Sequence, residues 1–147
     1  MTGIESLIQN SEKLTTFFGV WPSFHDAQVN ELNFWRGDVK PGDLDDRNVF
    51  PVLTVKIRVL EATQASATHF GNDVLATLRF HDVDDFKMDH FNHMNDIFDL
   101  FISLEERGFF TNGEKLPPYL VVQFAPGSGV RMSFRCFRIE IVDAVRV

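Results

Sequence analysis

Two His-Asp pairs, His25-Asp26 and His81-Asp82, stand in the chain with His69 between them. Neutral imidazole and carboxylate both bind divalent ions, and a bound ion activates water, so this set is the kind that metal-dependent phosphohydrolysis uses. The family of phosphohydrolases with this His…His-Asp…Asp set holds its ligands on packed helices. His81 instead ends an alternating run and His25 precedes one, so the letters occur without the elements that would gather the side chains.

His90 and His93, at i and i+3, offer a second possibility: zinc held together with Asp89 or Asp96. The same residue types fill polar turns by bonding nearby backbone groups, and the turn is the preferred reading. Spacing alone leaves metal binding by His90 and His93 open. Cys136 lies between Phe134 and Phe137 in an apolar run, not at an exposed electropositive helix start where a thiolate forms. The glycines of "APGSGVRMSF" lead from one β-rich run into another, so they cradle no phosphate at a helix N-terminus. No catalytic residue, metal ligand or cofactor-binding residue is therefore assigned, and the chain is not expected to be an enzyme.

The elements that would carry any site start with length. A chain of 147 residues suits one domain, residues 1–147, burying about 68–70% of its unfolded surface. Sixteen phenylalanines in a 44% hydrophobic composition supply the apolar area. A single cysteine rules out an internal disulfide and suits a reducing compartment. The N-terminus has no basic start followed by an apolar run, and no stretch of about 18 apolar residues occurs. The expectation is a cytoplasmic protein without a membrane partner.

The first 18 residues carry helical spacing, with Ile4, Leu7 and Ile8 and then Leu14, Phe17 and Phe18 on common faces, before the stop signals Gly19 and Pro22. Residues 27–36 alternate like a strand, with Val29 and Leu32 on opposite parities that imply a bulge near Asn30–Glu31. The segment 36–48 is rich in turn residues and reads as a surface loop. Leu53, Val55, Ile57 and Val59, and later Val74, Ala76, Leu78 and Phe80, alternate with polar neighbours, which favours antiparallel strands with one wet face. Phe86 and Met88, then Phe98 to Leu104, continue the strand pattern, and "PGSG" separates two β-rich runs as a hairpin. A parity change near Cys136–Phe137 suggests a second bulge. The fold predicted is α+β: an N-terminal helical segment packed on a mainly antiparallel sheet of six or seven strands.

Net charge is −7, and it is unevenly placed: residues 82–114 hold nine acids against two bases, residues 115–147 five bases against two acids. An acidic block opposes binding to nucleic acid, which requires clustered Lys and Arg. Asp82, Asp84, Asp85 and Asp89 form a candidate patch that would steer a basic protein partner by long-range attraction.

The stretch "FFGVWPSFHDAQV" resembles the start of bacterial polymorphic-toxin immunity proteins of the immunity protein 50 family, with its W-P-x-F-H-D-A signature. "FNHMNDIFDLFI" and "APGSGVRMSFRCFRIEIV" are similar to two later stretches of that family. The resemblance implies a small α+β protein that binds and neutralises a cognate toxin by occlusion, without catalysis. Within the signature, Trp21, Pro22, Phe24, His25 and Asp26 are read as structural. Asp26 is expected to accept backbone N–H bonds, His25 to bridge the turn to the sheet, and Trp21 and Phe24 to anchor the helix. The alternative is a β-rich domain that binds a small ligand or acts as a metal-dependent enzyme. Unpaired edge strands also leave a homodimer open.

Overall fold

The structure, a computed structural model, describes residues 3–37, 50–62 and 70–147. A 3-10 turn (Ile4–Leu7) leads into β1 (Ile8–Gln9) and α1 (Glu12–Phe18). The strands β2 (Gln28–Trp35), β3 (Val52–Ala62), β4 (Phe70–His81), β5 (Asp84–Asp89), β6 (Ile97–Glu105), β7 (Tyr119–Pro126), β8 (Arg131–Cys136) and β9 (Arg138–Arg146) follow.

The cleanest alternation in the sequence produces the longest pairing. β3 and β4 run antiparallel with Leu53 opposite Phe80, Val55 opposite Leu78 and Ile57 opposite Ala76. All six side chains are buried, so one face of each strand is core. On the other face Arg58 clamps Asp73 through both carboxylate oxygens, Nε to Oδ1 at 2.8 Å. Further along the same face Arg79 Nε donates to Thr54 Oγ1 at 3.2 Å.

The strands form two sheets, one in the order β1-β9-β4-β3-β2 and one in the order β5-β8-β7-β6. Phe80 of the first meets Phe124 and Phe134 of the second edge-on, with ring centroids 6.1 and 5.0 Å apart. Such ring pairs contribute about 0.5–1.5 kcal/mol beyond the area they bury. Buried side chains of both sheets, with Leu14 of α1, make up one continuous cluster.

This arrangement corrects the expected α+β architecture. In place of a helical segment on one sheet of six or seven strands, the described residues form nine strands in two sheets and one short helix. The difference originates at Phe137. There the chain leaves β8 in one sheet and enters β9 in the other, and the Phe137 N–H donates to the His81 carbonyl at 3.1 Å. A bulge and a change of sheet both shift side-chain parity, so alternation does not separate them. The bulge expected near Asn30–Glu31 is present, as a register shift between Val29 and Glu31. The "PGSG" hairpin joins β7 to β8.

The helix spans seven residues and ends at Gly19, whose φ of 80° lets its N–H reach the Thr15 carbonyl at 2.7 Å. It packs against β4 and β9. Lys13 Nζ donates to the Val142 carbonyl at 3.1 Å, and Asn72 Nδ2 to the Phe17 carbonyl at 2.6 Å. Among the described residues no helix is long and apolar enough to cross a membrane. His69, and the turn-rich segment from residue 38 to residue 48, lie outside the described residues.

Candidate functional site

The segment between α1 and β2 folds into a tight turn because the Ala27 N–H bonds the Phe24 carbonyl at 3.0 Å and the His25 N–H bonds Ser23 Oγ at 3.2 Å. Asp26 occupies the turn with φ 65°, a left-handed conformation that short polar side chains tolerate better than most. Phe24 and Pro22 are buried, and the Trp21 ring packs at 5.5 Å from that of Phe24. His25 and Asp26 point the other way, into solvent. His25 Nδ1 lies 3.1 Å from Asp26 Oδ2, and its ring stands edge-on to Phe98 at 5.2 Å. The Asp26 carboxylate is thus engaged by its neighbour's imidazole, while the backbone of the same residue makes the structural bond, N–H to the Ile97 carbonyl at 3.0 Å.

That backbone bond begins a longer seam. Ile97 N–H returns a bond to the Ala27 carbonyl at 2.9 Å, Gln28 bridges Asp96, and Val29 N–H reaches the Asn95 carbonyl at 3.0 Å. The loop on the other side is held by two asparagines three residues apart. Asn95 Oδ1 accepts from the Asn92 N–H at 2.7 Å, and Asn92 Oδ1 accepts from the N–H groups of Met94 and Asn95 at 2.9 and 3.2 Å. Asn92 Nδ2 then donates to the Ser128 carbonyl at 3.3 Å, and the N–H groups of Gly127 and Ser128 donate to the Asp96 carbonyl and Oδ2. Residues 21–29, 91–97 and 126–130, distant in sequence, therefore meet at one corner between the two sheets. This reciprocal bonding satisfies the turn donors internally.

A groove of about 540 Å³ opens beside this corner. Phe18, Val20, Trp21 and Leu60 line it, together with His25 and the acidic residues Asp26 and Glu61. Glu61 Oε2 accepts from Asn72 Nδ2 at 3.4 Å, the same amide that bonds the Phe17 carbonyl. On the other side of the corner Phe91, Met94 and His93 form a shallower hollow with Gln28 and Asn30.

The other candidates are dispersed. His81 Nε2 pairs with Glu140 Oε1 at 2.6 Å on the outer face of the β4 and β9 pair, and this contact holds the Glu140 carboxyl below its ordinary range. His90 lies 3.9 Å from Asp89 with both side chains exposed. Among the described residues no group of three or more His, Cys, Asp or Glu is placed to hold a metal ion. Burial pushes the Cys136 thiol up to about 12, far from a reactive thiolate. Of the acidic residues on and beside β5, Asp89 is held by Arg131 through two bonds of 3.1 and 3.3 Å, which keeps its carboxyl below its usual range. Asp85 is 3.4 Å from Arg135 and 3.7 Å from Lys87. β8, which carries Arg131 and Arg135, thus lies against β5 and neutralises part of the acidic block.

A model of the family described as immunity protein 50 matches residues 10–146. The chain belongs to the immunity protein 50 family. No curated protein and no solved structure matches it. In this member of the immunity protein 50 family, the three stretches that carry the resemblance are the three that the corner joins. Three contributors carry roles that the sequence does not assign to them. Asn92 and Asn95 were readable only as turn residues, although their i, i+3 spacing suits reciprocal capping of one loop. Glu61 continues the parity of Leu53, Val55, Ile57 and Val59, and a carboxylate at a core parity is a signal of special use.

Proposed function

We propose that residues 1–147 act as one domain that binds a cognate toxin domain in the cytoplasm and neutralises it by occlusion, without chemistry of its own. Family membership supports an immunity role. The observation that carries the choice of surface is the apolar rim of the corner, where Val20, Phe91, Met94 and Phe98 are between 46% and 69% exposed. Single exposed apolar side chains are ordinary, but several around one rigid corner suit a contact face, and Phe and Met are enriched in such faces. A corner held by mutual hydrogen bonds presents that face with little ordering cost on binding.

Asp82, Asp84, Asp85 and Asp89 serve in this reading to steer a basic toxin rather than to grip it. Asp85 and Asp89 are already engaged by Arg135 and Arg131, so the net attraction rests more on Asp82 and Asp84.

Co-expression with a candidate toxin domain encoded by a neighbouring gene tests the reading, with survival and co-purification as the readouts. Protection together with a stable complex is expected. Cells that die although the folded protein is abundant would overturn it.

A further inference from the structure

The groove beside Trp21 has a chemistry that the rim does not. Aromatic and aliphatic side chains, Phe18, Trp21 and Leu60, share its lining with the carboxylates of Asp26 and Glu61, and among the described residues none of those that line it is Lys or Arg. We infer that this groove receives a basic side chain, arginine or lysine, presented by the partner protein; the inference rests on the immunity reading above.

Several features favour that occupant. The aliphatic stem of Arg or Lys packs against apolar walls while its cationic head faces carboxylates and an aromatic ring, a combination that rewards cations and rejects anions. The two carboxylates are held from different elements. Asp26 is set by the turn whose backbone bonds Ile97, and Glu61 is held at the end of β3 by Asn72, itself anchored on α1. Each is therefore positioned before a partner arrives. A carboxylate offers about four lone-pair sites, and the contacts to His25 and Asn72 leave acceptor capacity on both. The described cations on the neighbouring strands are engaged elsewhere, Arg58 by Asp73 and Arg146 over the Phe17 ring at 5.4 Å. At about 540 Å³ the groove falls within the roughly 300–1,000 Å³ span of ligand sites, enough for a side chain with its flanking backbone.

The test uses the full chain and two arms. In the first, N-acetyl-arginine amide is titrated against isotope-labelled protein, with N-acetyl-leucine amide and N-acetyl-glutamate amide as comparison probes. Shifts confined to the Trp21 indole and the amides of Val59, Leu60 and Glu61, seen with the arginine probe and lost in the D26N/E61Q double variant, are expected. An equal response to the leucine probe would make the groove an apolar site and overturn the inference, as would no response at all. In the second arm, toxin affinity of D26N/E61Q should fall about tenfold or more, while E12Q, at an exposed carboxylate outside both the groove and the acidic patch, stays within about twofold of wild type. Wild type and D26N/E61Q binding the toxin equally well would sink the basic-anchor inference and leave the immunity reading standing. A wild-type chain that binds no toxin would sink the immunity reading, and the titration would still decide the chemistry of the groove. D26N keeps a residue that tolerates φ 65° and E61Q keeps the side-chain shape, so both variants are expected to fold; equal melting temperatures check this.

Discussion

Gly129 and Asn95 touch so closely that a β-carbon on Gly129 would lie 2.6 Å from both the Cα and the N of Asn95. That spacing allows the β7–β8 hairpin to lie flat against the loop before β6, and only hydrogen fits between them. Gly129→Ala should therefore push the hairpin off the loop and cost about 1–3 kcal/mol. Chemical denaturation measures this; a midpoint unchanged from wild type would show that the corner yields more easily than its packing implies.

Asp26 sits at φ 65° with an exposed carboxylate, so its contribution to folding is conformational. Asp26→Gly should leave the melting temperature at or near the wild-type value, whereas Asp26→Ala should lose about 1 kcal/mol to left-handed strain. The order of the two variants is the readout. An alanine variant as stable as the glycine variant would contradict the assignment.

Phe80 joins the sheets through Phe124 and Phe134 and is fully buried. Phe80→Ala should cost about 3–5 kcal/mol, because a cavity replaces contacts on both sides of the core. Phe98→Ser, on the exposed rim, should change stability by no more than about 0.5 kcal/mol yet weaken toxin binding. Comparing the two by thermal melting and by affinity separates core from contact surface.

Acid should weaken the protein in a defined direction. The Glu140 carboxyl is held low first by its hydrogen bond to His81, and that of Asp73 by its bond to Arg58. Their folded values lie below their unfolded ones, so the stability they contribute is fully present above the unfolded values and is lost as pH falls through the folded ones. Unfolding free energy should drop as pH falls below about 4.5, and Glu140→Gln should flatten part of that drop. A variant whose acid profile overlays the wild type would remove Glu140 from the explanation.

How far the sequence could be read depends on how local each feature is. The alternation of Leu53 to Val59 and of Val74 to Phe80 was legible, because side-chain parity follows directly from the two-residue repeat of a strand. So were the bulge in β2, the left-handed Gly19 and the hairpin at "PGSG", each written in a few adjacent residues. The ion pairs of the acidic block were not. Asp89 meets Arg131 across 42 positions and Asp85 meets Arg135 across 50, and composition within the block cannot register partners so remote.

By itself the sequence determined the alternation and buried faces of β3 and β4, the bulge in β2, the "PGSG" hairpin and the family signature, since these depend on residue type and short-range spacing. The tertiary structure alone decided that β8 and β9 belong to different sheets. It alone brought residues 21–29, 91–97 and 126–130 to one corner, and it alone turned His25 and Asp26 outward onto a groove shared with Glu61. Each of those outcomes follows from backbone hydrogen bonds between segments far apart in the chain, and such pairings are chosen by the packing of a whole core rather than by any local pattern.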